Sequence, residues 1–237
     1  VSVVHPYMGE QGWSFAAYPG ATGDPVNGMD YMHQLYTLAK PDYTGRVTVP
    51  VLWDKQTRSI VNNESSELLR ILNSAFDPWG NADVDLYPEP LREEIDRVNA
   101  FVYDRVNNGV YKAGFATSQD AYEEAVTALF EALDELEARL GKQPWLAGER
   151  ITEADWRLFT TLVRFDPVYV SHFKCNLRRL VDYPRLWAYT RRLYQVPGVA
   201  ETVNLDHIKR HYFTSHPQIN PTGVIPAGPV VDFDQPV

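Results

Sequence analysis

Two short segments set chemistry-bearing residues where backbone geometry could use them. The run Arg46-Val47-Thr48-Val49-Pro50-Val51-Leu52-Trp53 is β-branched and interrupted by one proline. Taken alone, Pro50 reads as an edge-strand proline, and the Val49–Pro50 bond is one that can be cis. Shortly after, Asn62-Asn63-Glu64-Ser65 precedes Leu68, Leu69 and Leu72 at helical spacing, so a helix is expected to open near Glu64. The unpaired N–H groups and dipole of such a start attract an anion. Ser65 could add a hydroxyl, and Glu64 a carboxylate able to pair with an ammonium group. By spacing alone both are also ordinary first-turn residues.

Other candidate groups carry less signal. The chain has 14 tyrosines, each neutral at pH 7 and able to donate a hydrogen bond or a proton, and residue type alone selects none of them. The single cysteine, Cys175, excludes an intrachain disulfide and suits a reducing compartment, and nothing around it marks an activated thiol. His207 and His211 are four apart, as ligands on a helix could be, but no third ligand is evident and no metal site is expected. Asn63-Glu64-Ser65 matches a glycosylation pattern, which without a secretory signal is read as accidental.

The elements that would position these residues fall into two parts. Val1 to Val4 alternates like a strand and has no leader before it, so the chain is expected to begin within a fold. From Tyr7 to Gly45 runs a Gly-, Pro- and Asp-rich connection with one short helix between Asp30 and Ala39. Arg46–Trp53 and Arg58–Val61 are expected to form a hairpin around the Asp54–Thr57 turn, followed by the Glu64 helix. After Asp77 the segment Pro78–Pro90 lacks periodicity, and a domain boundary is placed there, giving domains 1–77 and 78–237.

Helical spacing then dominates. Leu91, Ile95, Val98, Phe101, Val102 and Val106 mark one amphipathic helix, and Tyr122 through Leu140, closed by Gly141, marks another. Thr152 with Asp155 forms a variant capping box, Pro184 suits a helical first turn, and the tail from Phe213 is expected to be irregular. No internal repeat is present.

Composition narrows the function classes. With 237 residues and 44% hydrophobic content the chain can bury a sizeable core. A formal charge of -9 repels a phosphate backbone and anionic lipid, so neither nucleic acid nor membrane is expected as a partner. No apolar run approaches the roughly 18 residues needed to cross a bilayer, and a cytoplasmic location is expected.

Several strings together resemble one family. Trp145 to Asp155 (WLAGERITEAD) is similar to the capped core helix of the glutathione transferase α-domain. Val49-Pro50 followed by Asn63-Glu64-Ser65-Ser66-Glu67 resembles the thioredoxin-fold proline and helix start that hold glutathione in those enzymes. Ser2 to Pro6 with Gly12-Trp13, Pro19 to Asp24, Asn107 to Ala116, and Arg164 to Tyr169 resemble the glutathionyl-hydroquinone reductases, the Xi-class, omega-like branch, and the similarity runs essentially from end to end.

That resemblance implies an α+β glutathione transferase fold: a partial thioredoxin-like N-terminal domain followed by an all-α C-terminal domain. It implies glutathione as co-substrate, bound by Trp13, Arg46, Val47, Thr48, Val49, Pro50, Glu64 and Ser65, with Val49 pairing through its main chain. It assigns Tyr111 as proton donor or acceptor and Tyr169 and Tyr212 as phenols that help lower the thiol pKa. The implied reaction converts an aromatic glutathionyl-hydroquinone to hydroquinone with formation of glutathione disulfide, in a homodimer. The family's Cys-Pro-Trp-Ala motif does not occur in these 237 residues. It is expected on a strand and helix ahead of Val1. A non-catalytic glutathione transferase-like binding module and an omega-like thiol transferase or dehydroascorbate reductase are the alternative readings.

Overall fold

The computed structural model describes residues 1–237. It resolves into two compact units, one made of Val1–Val84 with Asp206–Pro217, the other of Asp85–Leu205 with Gln218–Val237. The dividing point at Val84/Asp85 lies a few residues beyond the boundary expected from composition. The segment 206–217, expected in the second domain, is grouped with the first unit.

The first unit is built from short pieces. β1 (Met8–Gly9) and β2 (Gly12–Trp13) form a small antiparallel ribbon with Met8 opposite Trp13. α1 (Met32–Ala39) begins where the Gln34 side chain turns back to accept from the Asp30 and Tyr31 amides, each at 2.9 Å. β3 (Leu52–Asp54) and β4 (Ser59–Asn62) form the expected hairpin. Its turn is held by Asp54, whose carboxylate accepts from the amides of Gln56 and Thr57 at 2.7 and 3.2 Å. Those amides, Thr57 foremost, keep the Asp54 carboxyl below its ordinary pKa. α2 (Ser65–Ser74) follows with Glu64 at the N-cap position, as its leucine spacing predicts.

Two strand expectations fail here. Val1–Val4 lies outside any strand; instead Val3 exchanges hydrogen bonds with Thr22, its N–H donating to Thr22 Oγ1 at 2.8 Å and its C=O accepting from the Thr22 N–H at 3.1 Å. Arg46–Val51 also lies outside the ladder, which starts only at Leu52. A strand needs a partner as well as propensity, and Pro50 withholds the donor that pairing there would use. The core of this unit is Phe15, Met32, Leu35 and Tyr36, with Val4, Trp13, Val47, Val51, Trp53 and Ile60 packed on it.

The second unit is helical. α3 (Arg92–Val102) buries Ile95, Val98 and Val102, then passes into a π turn over Tyr103–Asn107 and on to α4 (Asn108–Gly114). The single helix expected from Leu91 to Val106 is thus broken at Tyr103, because the wider turn adds a residue to the local hydrogen-bond loop. α5 (Gln119–Leu140) buries Val126, Leu129, Phe130, Leu133, Leu136 and Leu140, the stripe its periodicity predicts. Gly141 ends it in a right-handed conformation, φ −79°, rather than the left-handed one glycine permits.

α6 (Glu153–Arg164) opens on the expected capping box between Thr152 and Asp155, and a second π turn, Phe165–Tyr169, follows it. α7 (Pro184–Tyr194) has its proline in the first turn. Asp155 is fully buried and accepts from the Leu146 and Thr152 amides, the Thr152 hydroxyl and the Tyr189 phenol at 2.8–3.0 Å. Burial pushes its carboxyl above the ordinary value, against those four donors. α8 (Leu205–Ser215) runs past Phe213, so the irregular tail begins three residues later than expected. No helix is long and apolar enough to cross a membrane.

Candidate functional site

The two segments singled out by type and spacing meet in the first unit through Thr48. Its C=O accepts from the Tyr36 phenol at 2.9 Å, and its hydroxyl accepts from the Asn63 side-chain amide at 3.1 Å. Tyr36 is only 3% exposed, on the buried face of α1. One buried phenol therefore fixes the residue before Val49, and Asn63 ties that residue to the chain entering α2. The Asn62 side chain accepts from the Glu64 amide at 2.7 Å and completes the entry. Asn62 and Asn63 thus shape the helix start without being its N-cap, which is Glu64.

What this junction offers is main chain. The Val49–Pro50 bond is cis, and Val49 is 37% exposed and enters neither the β3–β4 ladder nor a turn hydrogen bond. Pro50, Glu64, Ser65 and Ser66 are exposed, and the first amides of α2 have no partner within the helix. An extended segment with a carboxylate could pair with Val49 and end on those amides. Val47 is half-buried against the core, while Arg46 is exposed and its C=O accepts from the Tyr43 phenol at 2.6 Å. Tyr43 crosses Gly45 so closely that a Cβ there would strike its ring and hydroxyl.

Trp13 ends the β1–β2 ribbon. It packs on the Phe15–Tyr36 core and stacks on His211 of α8, ring centroids 4.7 Å apart and planes 24° apart. Tyr212, 5% exposed on α8, meets the rings of His211 and His216 edge-on at 5.2 and 5.8 Å. Burial lowers the His216 pKa. His207 and His211 lie on α8 with ring nitrogens at 2.6 Å from the Pro19 carbonyl and 3.1 Å from the Pro6 carbonyl, respectively.

In the second unit Tyr111 and Tyr169 share one aromatic cluster. Tyr169 is 2% exposed and stacks on Phe173 at 5.5 Å, nearly parallel. Tyr111, 39% exposed on α4, meets Phe173 edge-on at 5.3 Å and tilts toward Tyr169 at 6.2 Å. Gly114 makes the platform possible, since a Cβ at that position would fall inside the Phe173 ring. Each tyrosine is aimed from or just after a π turn, a feature often found at functional sites. Asp166 in the second turn is buried and accepts from the Leu180 and Val181 amides at 2.5 and 3.2 Å, which anchors the turn to the following chain.

Cys175 is wholly buried, with Sγ 3.9 Å from the Val110 carbonyl, and burial pushes its thiol pKa up to about 12. A thiol so placed is not a nucleophile at neutral pH.

Sequence reading missed Tyr36, Gly114 and Phe173 as positioning groups, and placed Asn63 at the helix start without its tie to Thr48. Tyr36 had a signal, the apolar stripe Met32-Leu35-Tyr36 with a polar tip. Gly114 lay inside a family string, but only coordinates reveal what occupies the space of its missing side chain.

Comparison with known proteins sharpens the assignment. Residues 119–192 match the family model for the C-terminal domain of glutathione S-transferases. The chain is 57% identical over all 237 residues to the glutathionyl-hydroquinone reductase YqjG of Escherichia coli K12, covering 72% of that protein. It is 57% identical over 229 residues to the glutathionyl-hydroquinone reductase PcpF of Sphingobium chlorophenolicum, covering 97% of this chain and 73% of that one. The glutathione-bound structure of YqjG superposes with a TM-score of 0.98 over 100% of this chain and 77% of that one. The Xi glutathione transferase of Phanerochaete chrysosporium does so with a TM-score of 0.94 at 56% identity, over 97% and 80%. With a glutathione transferase fold and relatives this close over its whole length, the chain belongs to the glutathionyl-hydroquinone reductases, the Xi class of the glutathione transferase family.

Proposed function

We propose that the protein reduces glutathionyl-hydroquinones with glutathione, releasing hydroquinone and glutathione disulfide. The observation that carries this reading is the Thr48 junction. It holds an exposed, unpaired Val49 main chain beside the open amide end of α2, a fit for a tripeptide with a carboxylate at one end. In this reading Val49 pairs with the peptide, Ser65 and the α2 amides take the γ-glutamyl carboxylate, and Glu64 pairs with its ammonium. Pro50, Thr48, Val47 and Arg46 shape the edge, and Trp13 packs against the ligand.

The chemistry requires a thiolate that Cys175 cannot supply. The family resemblance assigns it to a Cys-Pro-Trp-Ala motif ahead of Val1. That thiolate attacks the glutathionyl sulfur, the carbon–sulfur bond breaks, and its electron pair leaves with the aromatic carbon, which takes a proton through Tyr111. The resulting mixed disulfide is resolved by a second glutathione, so the ring is reduced and two glutathione sulfurs are oxidised to the disulfide. Tyr169 and Tyr212 donate to the thiolate and lower its pKa. Glutathione is the sole co-substrate of this scheme, and a cytoplasmic homodimer is the setting that the family resemblance gives.

The test is turnover of glutathionyl-hydroquinone by the intact protein and its Tyr111→Phe variant. Loss of the phenolic proton should slow turnover about 100-fold while glutathione affinity is kept. Unchanged turnover would remove Tyr111 from the mechanism, and a coding region with no cysteine upstream of Val1 would end the enzyme reading.

A further inference from the structure

We propose that His211 is a positioning residue for glutathione binding: through its ring, α8 sets the plane of the Trp13 indole. This rests on the reading of Trp13 as a glutathione contact. The ribbon that carries Trp13 has two residues per strand, far below what holds its own geometry in water. Gly12, which opens β2 directly after the turn, sits at φ +76°, so the backbone itself gives little stiffness.

Three contacts from α8 supply what the ribbon lacks. The His211 ring stacks on the indole at 4.7 Å. Its Nδ1 lies 3.1 Å from the Pro6 carbonyl, and because a carbonyl can only accept, Nδ1 is the donor, a tie to the chain before β1 that adds to the stack. One turn along the same helix face, Ser215 Oγ accepts from the Met8 amide at 3.0 Å. Both strands of the ribbon, at the facing pair Met8 and Trp13, are therefore gripped by a helix some 200 residues away in sequence, and the grip on the indole is a flat ring.

The experiment measures glutathione affinity by calorimetry, and KM and kcat with glutathionyl-hydroquinone, on the intact protein and four variants: His211→Ala, His211→Phe, Trp13→Ala and the Trp13→Ala/His211→Ala double. His211→Ala should weaken glutathione about fivefold, the worth of one aromatic stack, with KM rising more than kcat falls. His211→Phe, which keeps a flat ring, should stay within about twofold of the parent. The double variant should be no weaker than Trp13→Ala, because the two residues act through one contact. If Trp13→Ala binds glutathione normally, the ligand contact at Trp13 is wrong and the positioning role falls with it. If Trp13→Ala weakens binding but His211→Ala does not, or the two losses add in full, only the positioning role is overturned. Equal losses in His211→Ala and His211→Phe would likewise overturn it, since the ring stack would then not be the agent.

Discussion

Most of the buried polar side chains, among them Thr152, Glu153, Asp155 and Asp166, lie in the second unit, while the first buries chiefly the Tyr36 phenol and His216. Around α6 a buried carboxylate satisfies four donors and closes a core whose leucines and phenylalanines are almost wholly hidden. In the first unit the groups of interest, Val49, Pro50, Glu64 and Ser65, are exposed and belong to a bend and a helix end. Their order comes from a few hydrogen bonds around Thr48 and at the entry to α2. On the proposed reading the difference separates stability from recognition: one unit uses buried polar groups to hold itself, while the other leaves main chain open for a ligand.

Substitutions should expose that contrast, beginning in the second unit. Asp155→Ala leaves two backbone amides and two hydroxyls unserved in the interior and should cost about 3 kcal/mol of unfolding free energy in denaturant titration. A loss below about 1 kcal/mol would show that this network is not what closes the helical unit. Gly114→Ala should cost about 2 kcal/mol by overpacking against Phe173 and should disturb Tyr111 with it, lowering turnover more than glutathione affinity.

In the first unit the effect should move from stability to binding. Tyr36→Phe removes the hydroxyl that holds Thr48 and should weaken glutathione about fivefold, with thermal stability changed by about 1 kcal/mol. Unaltered affinity would mean that Val49 holds its place without that phenol. Smallest of all, Cys175→Ala should leave turnover unchanged, and native protein at pH 7 should not be alkylated at Cys175, whose thiol is buried and pushed up to about 12.

The same contrast governs what could be read in advance. The helical unit was legible because its stripes repeat over many residues: α5, the Thr152–Asp155 box and the Pro184 start all lie where spacing puts them. The π turns at Tyr103 and Phe165 were not, since one extra residue leaves the hydrophobic stripe nearly intact. In the first unit the β3–β4 hairpin and α2 were legible from propensity and turn residues. Val1–Val4 and Arg46–Val51 were misjudged because a strand is a pairing, and pairing is not written in one segment. Val49, Pro50, Glu64 and Ser65 were singled out as candidates through a family pattern, whereas the Tyr36–Thr48 and Trp13–His211 contacts span separations no local pattern records.

The central claim is that a tripeptide docks on the Val49 main chain and the α2 amides. Backbone amide resonances of the intact protein, followed as glutathione is added, test it most directly. The account predicts that Val49, Ser65 and Ser66 shift together with a single saturation curve and that their amides become protected from exchange. Glutathione that saturates the protein while those three amides stay unmoved would contradict it.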